Sequence, residues 1–235
     1  MSQLSEEPAR WLIVGLGNPE KKYTANRHNV GFHVLDRLAE KAGVSITDRR
    51  FQGWFGKAAV GSHSLLLLKP STFMNASGKA AAEAARFYKI APPNVAVVYD
   101  DIDLEFPRLR IRAGGSHGGH RGVESVIAAL GTRDFPRVRI GVGRPPSGVD
   151  PIEHVLSDFS AEEQPEIEKT IEQAVTAALS LVTDGLDKTM TRFNSRPRAT
   201  AQPSSCERKE PQPVTSAETQ PVKPPETQPV KPPEA

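Results

Sequence analysis

Apolar runs that end abruptly in polar residues alternate along this chain with stretches of helical spacing, and this alternation narrows the fold more than any other feature. "WLIVGL", from Trp11, reads as a buried strand closed by glycines and Pro19. From His28 onward, Val30, Val34, Leu35, Leu38, Ala39 and Ala42 recur at three and four, which predicts an amphipathic helix ending at Gly43. "FQGWFGKAAVGSHSLLLLK" reads as two strands joined at Gly61-Ser62-His63. Alanine spacing then predicts a helix with Asn75 as its N-cap. "VAVVYDDI" is another buried strand with carboxylates at its end, and "RLRIR" alternates like a strand exposed on one face. "GVESVIAALG" is a helix, "RVRIGVG" a strand, and the stretch from Ala161 to Gly185 a last helix with an acidic start. Such an order predicts a three-layer α/β body, a mixed sheet flanked by helices. Polar residues just past strand ends, namely Asn18, Lys69 to Asn75 and Asp100, would then share one crevice, where open α/β sheets bind ligands.

The periodicity stops near Ser195, where Pro, Glu, Gln, Thr and Lys take over and "ETQPVKPP" at 218 to 225 repeats at 226 to 233. Residues 195 to 235 are therefore expected to form a disordered Pro-rich tail, 1 to 10 a flexible N-terminus, and 11 to 194 the folded domain. No run of about 18 apolar residues occurs, and "MSQLSEEPARW" is acidic where a signal peptide would be basic, so a cytosolic location and no membrane are expected. The single cysteine, Cys206, lies in the tail, which removes disulfide frameworks and cysteine metal sites. Thirty basic against 28 acidic residues give a net charge of +2 that singles out no partner, but arginines concentrate between 108 and 144 and imply a local basic surface.

Four motifs compete for the chemistry. Gly15-Leu16-Gly17 opens like a dinucleotide fingerprint, yet Glu20 stands where the third glycine belongs and would repel a pyrophosphate. Gly114-Gly115-Ser116-His117-Gly118 matches a nucleophile elbow at Ser116, but a half-polar strand and a delayed helix do not give the sharp turn such an elbow needs. His117 and His120 supply only two metal ligands, and Asp100, Asp101 and Asp103 lack a phosphate-binding loop beside them, so no metal is expected. His28 is the sharper signal: it lies where the loop meets the helix, between Asn26 and Asn29. A buried Asp100 bonded to it would orient the ring and raise its basicity, making it a general base for water. A carboxylate, a histidine and neutral amides suit direct hydrolysis of a peptide-like substrate.

"LIVGLGNPEKKYTANRHNVGF", "KPSTFMNASGKA", the long stretch from "VVYDDIDLEF" to "RVRIGVGRP", and "HVLSDFS" together resemble the bacterial peptidyl-tRNA hydrolases over residues 11 to 194. The resemblance implies a monomeric, cofactor-free enzyme with a twisted mixed sheet. Its partner would be peptidyl-tRNA, held by acceptor stem and CCA end, and its reaction hydrolysis of the ester to the 3′ ribose. No DNA is implied. By the same resemblance His28 is the catalytic histidine, Asp100 orients it, and Asn18 and Asn75 are active-site amides. Phe73 and Met74 line the peptide site, Tyr23 lies near the tRNA end, His120 and Arg121 are further substrate-binding residues, and Arg112 with Arg139 clamp a tRNA phosphate. Where the family reads G-G-H-N-G this chain has "GGHRG", so Arg121 can donate but not accept. A non-catalytic RNA-binding paralogue on the same fold, or a Ser116 esterase, are the alternative readings.

Overall fold

The protein's structure, a computed structural model, describes residues 9–195. The octapeptide repeat, Cys206 and residues 1–8 lie outside the described residues. Seven strands form one mixed sheet: β1 (Arg10–Gly15), β2 (Asp48–Arg50), β3 (Gly53–Val60), β4 (His63–Pro70), β5 (Val95–Asp101), β6 (Leu109–Arg112) and β7 (Arg137–Gly141), in the spatial order β2-β3-β4-β1-β5-β7-β6. The inner four, β4-β1-β5-β7, run parallel; β2 and β3 on one flank and β6 on the other add antiparallel pairs.

Strand alternation explains the layers. In β1, Trp11 and Ile13 pack into one core with Val34, Leu35 and Leu38, while Leu12 and Val14 pack into the opposite core with Ala80, Ala81 and Ala84. Helices α1 (Val30–Lys41) and α5 (Gln164–Thr183) cover the first face, and α2 (Ser77–Phe87) and α3 (Arg121–Leu130) the second. A strand covered on both sides must be apolar throughout, which is why β1 and β5 carry unbroken apolar runs. Each such Leu, Ile or Val stabilises the fold by roughly 1.5–3 kcal/mol on burial, so a polar substitution there is costly.

Two further helices, α4 (Pro151–Val155) and α6 (Leu186–Asn194), were not foreseen from the sequence, nor was β2. Asp150 caps α4, accepting from Ile152 N–H at 2.7 Å. The break before α6 falls at Gly185, whose φ of 85° suits glycine. Asn194 ends α6 against β6, accepting from Ile111 N–H at 2.8 Å and donating to its carbonyl at 2.9 Å, so a side-chain amide satisfies the open edge of the sheet.

Close backbone approach fixes where α1 begins. A Cβ on Gly31 would lie 2.5 Å from the carbonyl oxygens of Leu16 and Val98, so the first turn of α1 presses on the ends of β1 and β5. Only glycine permits that contact, and it brings the residues just before α1 to the ends of those two strands.

A histidine pair on one buried carboxylate

His28 occupies a single 3₁₀ turn, Arg27–Asn29, wedged between the loop after β1 and α1. Its neighbours bolt that turn to the segment after α4. Arg27 N–H donates to Ser157 O at 3.0 Å, Asn26 donates through Nδ2 to Leu156 O, and the Arg27 guanidinium pairs with Glu163 at 2.6 Å over the Phe159 ring. Asn29 performs a second task. Its Oδ1 accepts from Asn18 N–H at 2.7 Å and its Nδ2 donates to Asn18 O at 3.0 Å. One side-chain amide thus holds both backbone groups of Asn18, leaving the Asn18 side chain free of hydrogen bonds among the described residues.

Asp100, near the end of β5, is 2% exposed, and its Oδ1 receives two imidazoles: His28 Nδ1 at 2.8 Å and His120 Nε2 at 3.1 Å. The tautomer of His120 follows from its other nitrogen. As the N-cap of α3, His120 Nδ1 accepts from the N–H groups of Gly122 at 3.1 Å and Val123 at 3.2 Å, so it carries no hydrogen and the proton sits on Nε2, facing Asp100. His28 correspondingly donates through Nδ1 and keeps Nε2 as its basic nitrogen. Burial opposes protonation of His28, but the charge of Asp100 and the hydrogen bond to it prevail, and the His28 pKa is raised above its usual value. Burial would likewise favour the neutral acid at Asp100; the two imidazoles outweigh it and hold the carboxyl well below the usual range.

These groups face a cavity of about 280 Å³ whose lining includes Asn18, His28, Met74, Asp100, His120 and Arg121, with an apolar wall from Ile152, Val155 and Leu156 around α4. Gly118 and Gly119, at φ 57° and 80°, form its loop side. Arg121 opens α3, exposed, with no ion pair among the described residues.

Other expected residues sit elsewhere. Asn75 is not an N-cap: a 3₁₀ turn, Met74–Ala76, precedes α2, whose N-cap is Ala76, and Asn75 is exposed, next in the chain to Met74 but not itself lining the cavity. Phe73, at 69% exposure, is not among the residues that line the cavity with Met74. Tyr23 lies in the turn Lys21–Tyr23 with Lys22 Nζ 4.6 Å from its ring centre. His120, expected among the substrate-binding residues, bonds Asp100 and caps α3, and it also lines the cavity.

The acidic cluster separates rather than converges, since Asp101 pairs with Arg139 and Asp103 with Arg144, each at 2.5 Å. His28, Asp100 and His120 are the one three-residue group with metal-ligand spacing among the described residues, within 4.8 Å of one another, but their facing atoms are already joined through hydrogen bonds. Ser116 makes no side-chain hydrogen bond among the described residues; its carbonyl accepts from Arg137.

The register of β6 on β7 sets Arg110 opposite Arg139 and Arg112 opposite Arg137, so all four share one face. Arg137 is buried and donates to the carbonyls of Gly115, Ser116 and Arg133, which ties down the glycine loop. Arg110 escaped notice in the sequence. Its pKa is lowered first by the neighbouring charge of Arg112, a sign of crowded cations on this strip.

A family model described as Peptidyl-tRNA hydrolase matches residues 12–202. The chain is 49% identical over 186 residues to the peptidyl-tRNA hydrolase of Symbiobacterium thermophilum, covering 78% of this chain and 98% of that one. It is 50% identical over 186 residues to the Synechocystis protein of the same name, covering 79% and 96%. To the chloroplastic peptidyl-tRNA hydrolase of Arabidopsis thaliana it is 48% identical over 187 residues, 79% of this chain, and it spans 65% of that relative's length. Among solved structures, peptidyl-tRNA hydrolase from Acinetobacter baumannii superposes with a TM-score of 0.75 at 34% identity, covering 79% of this chain and 94% of that one.

Proposed function

The chain belongs to the peptidyl-tRNA hydrolase family, and from that premise we propose that it hydrolyses the ester between a peptide and the 3′ ribose of tRNA with His28 as the base. The observation that carries the reading is the His28–Asp100–His120 cluster on the cavity wall. His28 Nε2 takes a proton from water, whose oxygen attacks the ester carbonyl carbon. Asp100 stabilises the imidazolium so formed, since its charge already raises the His28 pKa. His120 cannot share that proton through Nδ1 without giving up two backbone bonds, so the proton stays on His28. The free amide of Asn18 holds the acyl part beside Met74. Asn75, exposed beside Met74, is the amide assigned to the oxyanion. Collapse breaks the bond to the 3′ oxygen, which takes the proton back from His28; the peptide leaves as its carboxylic acid, which gives its proton to solvent, and the tRNA is free.

The tRNA lies on the other side of the site. Arg112, with Arg110 beside it, meets backbone phosphate, and Arg139 joins by exchanging Asp101 for phosphate, while Arg121, Tyr23 and Phe73 border the 3′ end. A monomer in the cytosol belongs to the same reading; sedimentation and cell fractionation test those two points. No helix among the described residues is long and apolar enough to cross a membrane.

The decisive experiment follows release of N-acetyl-amino acid from N-acetyl-aminoacyl-tRNA by the protein and by His28→Ala. General-base help supplies about 10²–10⁴-fold, so turnover should fall by that much with tRNA affinity unchanged. Binding of tRNA without hydrolysis by the unmodified protein would instead favour a non-catalytic RNA-binding role, and labelling at Ser116 by a serine-directed phosphonate would favour the esterase.

A further inference from the structure

Arg137, on β7, is 1% exposed, and unlike Arg27 and Asp100 it has no oppositely charged partner among the described residues. Its guanidinium donates instead to three carbonyls, those of Gly115 and Ser116 in the glycine loop and of Arg133 in the turn before β7. It also lies 4.6 Å from the Phe135 ring centre, and its Nε is buried without a partner among the described residues. A charge buried in this way loses hydration that neutral carbonyls only partly replace, and an apolar side chain of similar volume often stabilises a fold as well or better. Stability alone is a poor reason for such a group.

We propose that Arg137 is a positioning residue for the hydrolytic centre and acts through His120; the proposal rests on the reaction read above. Two routes join the residues. Along the chain, Gly115 and Ser116 lead into the turn in which His120 N–H donates to His117 O at 2.9 Å and Gly119 N–H to His117 Nδ1 at 3.2 Å. Gly115, Gly118 and Gly119 sit at φ 126°, 57° and 80°, so this segment has wide backbone freedom and needs a tie from outside itself. Through space, the Tyr99 hydroxyl lies beside the Arg137 guanidinium, and the Tyr99 ring meets the His120 ring edge to face at 4.9 Å.

Once placed, the His120 ring has little room. A Cβ on Gly122 would lie 3.0 Å from its Cε1, its Nδ1 accepts the first N–H groups of α3, and its Nε2 reaches Asp100. The His28 ring stands 4.9 Å from it on the same carboxylate. A shift of the glycine loop would therefore tilt His120 and loosen the carboxylate that orients His28. Arg112 lies directly opposite Arg137 on β6 but is exposed, whereas Arg137 is sealed from solvent and cannot itself meet a phosphate.

The test uses Arg137→Lys, which keeps the charge but loses the planar fork that spans three carbonyls. On N-acetyl-aminoacyl-tRNA, kcat should fall about tenfold while KM and the affinity for deacylated tRNA stay within about twofold, and the retained affinity shows that the variant has folded. A double-mutant cycle with His120→Ala supplies a readout that a merely structural role would not move: the double variant should lose no more kcat than His120→Ala alone. Losses that multiply would overturn action through His120. An unchanged kcat, or an equal loss of tRNA affinity, would overturn the positioning role. In nitrogen-15 histidine spectra of the protein without substrate, Arg137→Lys should move the His120 ring shifts away from those of a single Nε2–H tautomer, and an unaltered ring would also overturn the proposal. Failure of the unmodified protein to cleave the ester would sink the reaction itself, while the spectra still decide whether Arg137 sets the ring.

Discussion

The buried cluster around Asp100 and the arginine strip on β6 and β7 are both built from ionisable side chains, yet they solve opposite problems. At Asp100 one carboxylate, 2% exposed, is shared by two imidazoles whose remaining nitrogens have distinct assignments, one capping α3 and one left basic. Low dielectric strengthens each of those bonds and makes a missing partner expensive. On the strip, cations crowd one another, Arg112 is exposed, and among the described residues only Arg139 has an acidic partner at close range. Buried Arg137 apart, solvent screens such charges, so each exposed arginine contributes a small and interchangeable share. On the proposed function, chemistry depends on the geometry of a few groups, whereas a grip on a polyanion depends on how many cations face it.

Breaking the buried side should produce the larger effects. His28→Ala heads the series, with the turnover loss of about 10²–10⁴-fold given above. Asp100→Asn should lower plateau turnover by roughly 10²-fold, and single-turnover rates across pH check the cause. His28 acts as a base only when neutral, so activity rises with pH through its raised pKa. Without the Asp100 charge, burial alone remains and lowers that pKa, so the acidic limb should move to lower pH. A limb that stays in place, or moves up, would mean that Asp100 does not set the basicity of His28.

His120→Ala sharpens the distinction between the two histidines. It removes the cap of α3 and one bond to a buried carboxylate, so urea unfolding should show a loss of about 2–4 kcal/mol, while turnover falls less than for His28→Ala. Equal losses of rate would show that the two rings share the base role. The exposed side should respond least. Arg112→Gln should leave kcat within about twofold and reduce the slope of log affinity against log salt by about 0.9, alike for different tRNAs. A loss confined to one tRNA would contradict the phosphate role.

Much of this arrangement was legible in the residues. The unbroken apolar runs of β1 and β5 marked strands covered on both faces, and the polar residues at their ends, Asn18 and Asp100, do reach one cavity. His28 at a loop-to-helix junction was read as the candidate base, and the structure joins its ring to Asp100. The misreadings have local causes. Asn75 stands before an alanine-rich run, as an N-cap would, but the backbone first makes a 3₁₀ turn and the cap position falls to Ala76. Helix α4 has five residues and β2 three, too few for any period to emerge. Arg110 alternates with Leu109 and Ile111 like any half-exposed strand residue, so only its pairing with Arg139 marks it as part of the strip.

By itself, then, the order of residues determined the layers, the strand ends and the identity of the ionisable groups, because each follows from spacing along a chain whose periods are 2 and 3.6. Only the tertiary structure decided which groups share a proton or a partner. Asn29 reaches back eleven residues to hold Asn18, His28 and Asp100 are 72 residues apart, and Arg27 meets Glu163 across 136. Contacts at such separations depend on how closely Gly31 lets α1 approach β1 and β5 and on the register of seven strands, and no local pattern encodes either.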